Sequence, residues 1–147
     1  MFPTNHICLR EDFFRLLDLE IKRARRYQNF FSVMRFELLS GEGKGPANPE
    51  RGLRSLVELL REDIRETDVI GQTWENEIMI ILPYCDGSGA DVVKTRLNSL
   101  VRDFQFGENS LKINSALVCF PIEGTDMAEI LGRLKVCRPG ITVTGMN

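Results

Sequence analysis

The stretch Asp68-Val-Ile-Gly-Gln-Thr-Trp-Glu-Asn-Glu-Ile-Met-Ile-Ile-Leu-Pro83 decides the fold. Asp68-Val-Ile-Gly71 and Glu77-Ile-Met-Ile-Ile-Leu-Pro83 have the β-branched, apolar content of strands, and the connector Gln72-Thr-Trp-Glu-Asn76 has hairpin length. Toward the N-terminus, Leu53, Leu56, Val57, Leu60 and Ile64 recur at three- and four-residue steps. They predict a helix ending near Arg65, whose charge suits a helix C-terminus. Residues 40–49 are rich in Gly and Pro and read as a loop, and residues 31–39, Phe-Ser-Val-Met-Arg-Phe-Glu-Leu-Leu, read as a strand. Leu9, Phe13, Leu16, Leu17, Ile21 and Ala24 set an amphipathic helix over Arg10–Tyr27.

Toward the C-terminus, Asp86-Gly-Ser-Gly supplies a cap for a helix carrying Ala90, Val93, Leu97, Leu100, Val101 and Phe104. Leu111–Phe120 reads as a strand, and Gly124-Thr-Asp126 opens a short helix with Met127, Ile130, Leu131 and Leu134. Pro139 stops any helix by Arg138, and Ile141-Thr-Val-Thr144 is read as a short edge strand. After the leading helix the order is strand, helix, strand, strand, helix, strand. This is an α+β, ferredoxin-like βαββαβ core, an antiparallel sheet with two helices on one face and an extra N-terminal helix. No Pro/Ser-rich linker divides residues 1–147, so one domain is expected, with 1–8 and 139–147 peripheral.

Composition narrows the function. At 147 residues, 43% hydrophobic and 27% charged, the chain can bury a core without metals or disulfides. The longest apolar run, 78–83, is far too short to span a membrane, and residues 1–7 lack the pattern of a secretion signal. The net charge of −2 argues against nucleic acid as a partner, and a cytoplasmic location is expected. Cys8, Cys85, Cys119 and Cys137 lie far apart and read as free thiols; with His6 the only histidine, no zinc cluster or Cys–His pair is evident. Gly41-Glu-Gly-Lys-Gly45 lacks phosphate-loop spacing, and Lys22, Arg23, Arg25 and Arg26 read as a solvated helix face.

Several motifs fall in a distinctive order. They are Arg10-x-x-Phe13 with Glu20-Ile-Lys-Arg-Ala-Arg-Arg-Tyr27, Ser32-Val-Met-Arg-Phe-Glu37, Leu60-Arg-Glu-Asp-Ile-Arg-Glu-Thr-Asp68 and Glu77–Pro83, followed by Ile113-Asn-Ser-Ala and Pro121-x-x-Gly124-Thr-Asp126. Together they resemble the GGDEF domains of diguanylate cyclases over about residues 9–134, which implies a nucleotidyl-cyclase palm-type fold and a place in bacterial cyclic di-GMP signalling. Active members join two GTP molecules into cyclic di-GMP. The resemblance puts the Gly-Gly-(Asp/Glu)-Glu-Phe signature on Trp74-Glu75-Asn76-Glu77-Ile78, a heavy departure.

Each departure can be judged by its chemistry. Phosphoryl transfer in the family uses divalent ions held by hard oxygen ligands. Asn76 stands where one metal carboxylate belongs and offers only a neutral oxygen. Glu37 aligns with a metal-binding Asp of the first strand, Leu39 with a further Asp, and Glu77 with the retained fourth signature position. Trp74 and Glu75 replace two glycines that let substrate lie against the backbone. Residues 41–50 are shorter than the guanine-reading segment, with Glu50 near the base-reading Asp. Glu37, Asn76 and Glu77 are therefore vestigial, no metal or other cofactor is expected, and the Trp74 indole is expected to pack across the vacated cleft rather than against another chain.

One ligand site is retained in the resemblance. Arg65-Glu-Thr-Asp68 matches the family's inhibitory Arg-x-x-Asp motif, and Arg96 falls where a further arginine joins it. A guanidinium can take a phosphate or a guanine edge in bidentate fashion, and Asp can accept from guanine N1–H and N2–H. The bland alternative is a helix end at Arg65 and a turn cap at Asp68. The expected function is a catalytically inactive signalling module, regulatory or protein-interacting, with cyclic di-GMP as candidate ligand and a protein partner or a second copy as candidate contact. The alternative is a nucleotide-using enzyme with altered metal ligands, and only that alternative calls for Mg²⁺.

Overall fold

The structure, a computed structural model, describes residues 7–40, 49–108 and 111–135. Its elements are β1 (Cys8–Leu9), α1 (Arg10–Tyr27), β2 (Phe31–Ser40), α2 (Pro49–Arg61), β3 (Val69–Trp74), β4 (Glu77–Pro83), α3 (Gly87–Glu108), β5 (Leu111–Phe120) and α4 (Met127–Arg133). The sheet order is β1-β3-β4-β2-β5, with β4 and β5 antiparallel to β2 and β3 antiparallel to β4. Without β1 this is the split βαβ order expected of a ferredoxin-like core. The palm-type α+β reading therefore holds.

Both faces of the sheet are covered. Met34, Phe36 and Leu38 of β2 and Ile78, Ile80 and Leu82 of β4 pack with Leu53, Leu56, Val57 and Leu60 of α2 and Leu97 of α3. Phe31, Val33, Met79, Ile81 and Val118 face the other way, onto Phe13, Leu17, Ile21 and Ala24 of α1 and Ile130 and Leu131 of α4. Covering on both sides explains the uninterrupted apolar run of β4, which a one-faced sheet would replace by alternation. No helix among the described residues is long and apolar enough to cross a membrane.

Three boundaries differ from the sequence reading. Leu9 is not on the buried face of α1: it belongs to β1, which pairs in parallel with Gly71 and Gln72 of β3, and it is 73% exposed. A two-residue strand has no period to read. α2 stops at Arg61 rather than Arg65, and the Asp63 and Ile64 N–H groups donate to the Leu60 carbonyl in the turn that follows. Ile64 packs on the core from that turn, which is why it mimics a helical position. β3 runs on to Trp74 through a register irregularity at Gln72/Trp74, leaving only Glu75-Asn76 as the hairpin turn. The caps at Asp86 and Asp126 are as expected, accepting from the N–H groups of Gly89 and Glu129 at 2.9 and 2.8 Å. His6, Gly41-Glu-Gly-Lys-Gly45, Cys137, the 139–147 tail and the side chains of Glu50, Val101 and Phe104 lie outside the described residues.

Candidate functional site

Two groups of residues are candidates, and the hairpin organises both. At its tip, the Asn76 side-chain amide donates to the Leu38 carbonyl at 2.9 Å, and the Asn76 backbone carbonyl accepts from the Leu38 N–H at 2.8 Å. The amide thus ties the turn to the end of β2. Behind it, Glu37 and Glu77 are register partners across β2 and β4.

Glu77 is completely buried. Its Oε1 accepts from the Thr73 hydroxyl at 2.6 Å, and its Oε2 pairs with Nε of Arg35. Arg35 also lies 3.1 Å from Glu37 Oε1 through Nη2, and its Nη1 donates to the Leu134 carbonyl at 3.4 Å. A divalent ion needs carboxylate oxygens free to turn toward it. Here Glu77 is committed to protein donors, Asn76 is tied to β2, and Leu39 has no ligating atom. These residues do not fit the metal that the resemblance implies.

The half-buried Trp74 indole packs against α1, with its ring centroid 6.3 Å from that of Phe14 and the Arg10 guanidinium 5.0 Å from the ring centroid. An indole placed beside an aromatic and a cation gains both contacts, and α1 is the surface within reach. The basic stretch of α1 is a solvated face, with Lys22, Arg25 and Arg26 exposed, and its charges pair along the surface: Lys22 with Asp18 at 2.9 Å, Arg23 with Glu20 at 2.6 Å, and Arg25 with the Thr125 carbonyl at 2.7 Å.

The second group lies at the other end of the hairpin, where Arg65, Asp68 and Arg96 line one cleft of about 560 Å³ together with Asp63, Tyr84 and Asp86. The structure thus brings together all three residues of the Arg-x-x-Asp reading. Asp68, however, is not an open acceptor: its side chain is 2% exposed, and its oxygens accept from the Arg65 N–H at 2.8 Å and Nη2 at 3.0 Å. The same Nη2 donates to the Pro83 carbonyl at 2.9 Å. Asp68 therefore acts as a strut that fixes Arg65, whose side chain is 54% exposed. Arg96, on α3, pairs through Nε with Asp63.

Tyr84 sits at φ 57°, in the left-handed region that a side chain of this size rarely adopts. Its N–H donates to the Phe30 carbonyl at 3.0 Å, and Arg23 both stacks on its ring and donates to its hydroxyl at 3.1 Å. Cys85 forms part of the cleft floor, and burial raises its thiol pKa against the opposing pull of Arg65.

The sequence reading missed Arg35, Asp63 and Tyr84. Arg35 carried a signal, since a cation two residues before Glu37 lies on the same face of a largely apolar strand, where a buried charge requires partners. Asp63 and Tyr84 carried none, because only the turn geometry and the packing of α3 bring them to the cleft.

No family model and no curated protein matches the sequence. Solved structures do. A DGC protein from Thermotoga maritima is similar at a TM-score of 0.76 and 16% identity, over 90% of this chain and 96% of that one. Diguanylate cyclase SiaD in complex with its activator SiaC from Pseudomonas aeruginosa is similar at 0.73 and 18%, over 90% of this chain and 54% of that one. The GGDEF domain of DgcB from Caulobacter crescentus, in complex with c-di-GMP, is similar at 0.64 and 13%, over 80% and 73%. The chain has the fold of GGDEF domains.

Proposed function

We propose that this chain is a GGDEF-type signalling module that does not cyclise GTP and acts in the cytoplasm by binding, with cyclic di-GMP as its ligand and a protein partner as its output. The observation that carries the first half is the burial of Glu77, with both carboxylate oxygens held by Arg35 and Thr73. A carboxylate in that position neither faces a triphosphate nor coordinates an ion beside it.

The ligand half is supported by the cleft. Arg65 is oriented by Asp68, and Arg96 lies across from it on α3. The bonds described for the Arg65 side chain all run through Nη2, so Nε and Nη1 remain for a phosphate or guanine edge. Asp63 and Asp86 add negative charge to the rim, which favours contact through the base over contact through the phosphates alone. The GGDEF domain of DgcB is in complex with c-di-GMP and diguanylate cyclase SiaD is in complex with its activator SiaC, which supports a ligand and a protein partner for this chain.

Calorimetric titration with cyclic di-GMP tests the ligand. Saturable binding is expected, with Arg65→Ala and Arg96→Ala each weakening it about tenfold, the loss of one or two charge-assisted hydrogen bonds. No heat at tens of micromolar, or binding indifferent to both variants, removes the ligand from the account.

A further inference from the structure

Three oxygens from three elements converge on one buried guanidinium. Glu77 Oε2 on β4 meets Nε, Glu37 Oε1 on β2 lies 3.1 Å from Nη2, and the carbonyl of Leu134, at the C-terminal end of α4, lies 3.4 Å from Nη1. Arg35 is 6% exposed. We infer that Arg35 is a built-in cation: its guanidinium takes over the charge-neutralising part of a divalent ion between Glu37 and Glu77, making this end of the fold permanently independent of metal. The inference rests on the reading of Glu37, Asn76 and Glu77 as vestigial positions of the metal-dependent site that the resemblance implies.

Charge and geometry support the assignment. Two carboxylates paired across adjacent strands repel each other and require a cation between them. A diffusible ion meets that need only while it is bound, whereas a guanidinium on β2 meets it in every molecule. The planar fork presents donors in several directions at once, which suits oxygens arriving from different elements. The exchange also has a chemical consequence. A guanidinium stays charged and donates hydrogen bonds, but it has no vacant coordination position with which to polarise a hydroxyl. The acidic pair is thereby kept for stability and lost to metal chemistry.

Trp74, the only tryptophan, is the register partner of Glu77 and serves as an internal sensitiser for Tb³⁺. The wild-type chain is expected to give no saturable tryptophan-sensitised Tb³⁺ emission, and its melting temperature should be the same in Mn²⁺ as in NaCl of equal ionic strength. Arg35→Met is expected to melt about 10 °C lower, because two carboxylates lose their shared partner. Mn²⁺ should restore part of that loss, Tb³⁺ emission should appear, and both effects should vanish in Arg35→Met/Glu77→Gln. Arg35→Gln, which keeps hydrogen-bonding capacity without charge, should behave like Arg35→Met and serves if the methionine variant does not fold.

Saturable emission from the wild type that Glu77→Gln abolishes would overturn the inference. So would folded Arg35 variants that ignore Mn²⁺, or failure of both variants to fold with or without it. None of these readouts uses turnover or dinucleotide binding, so they fail or succeed separately from the proposed function.

Discussion

Glu77→Leu is expected to destabilise the fold by about 3 kcal/mol in urea denaturation, although it replaces a fully buried charge with an apolar side chain in an apolar layer. The loss comes from what the substitution leaves behind. Arg35 keeps Glu37 and the Leu134 carbonyl but loses its Glu77 bond, and the buried Thr73 hydroxyl loses its acceptor. Glu37 is the more accessible of the two acids, with a side chain 19% exposed, so it can turn toward water more readily than Glu77. Removing guanidinium and carboxylate together, in Arg35→Met/Glu77→Leu, is therefore expected to recover most of the stability, because well-packed apolar residues commonly equal a buried ion pair. Strict additivity of the two single variants would show that the pair is not coupled and would remove the electrostatic account of this site.

Gly71→Ala has the other large expected effect, about 2–3 kcal/mol, from overpacking where α1 crosses β3. A Cβ at Gly71 would lie 2.6 Å from Phe13 Cδ1 and 2.9 Å from Phe13 Cβ and Cγ. Phe13 is fully buried, so the ring has little room to yield, and the backbone of Gly71 is held by β1 on one side and β4 on the other. Phe13→Ala removes the Cδ1 and Cγ contacts and keeps only the Cβ contact, so Gly71→Ala should cost less in that background than in the wild type. A Gly71→Ala protein as stable as wild type by chemical denaturation would mean that α1 can slide off the sheet at little cost.

The fold was legible where local pattern and tertiary packing agree. The α1 boundaries follow from its apolar spacing, since Phe13, Leu17, Ile21 and Ala24 all reach one core. Residues 78–82 identify a central strand because no solvated face interrupts them. Pattern misled where a residue buries itself by a different route, as Ile64 does from a turn and Leu9 fails to do from β1.

The candidate sites were legible by position and less so by role. Arg65, Asp68 and Arg96 do meet at one cleft, but Asp68 spends both oxygens on Arg65, a bond that no spacing reveals. Glu77 can be placed by motif, yet whether it faces substrate or the interior depends on Arg35, two positions before Glu37 on the same face of β2. That pairing is a property of register, which becomes readable only once the antiparallel alignment of β2 and β4 is known.

Turnover tests the central claim most directly. Purified chain incubated with GTP and either Mg²⁺ or Mn²⁺, with products separated chromatographically, is expected to leave the nucleotide unchanged, as a Glu77→Gln sample does. Accumulation of cyclic di-GMP, or of any other guanine nucleotide product, that disappears in Glu77→Gln would contradict the account.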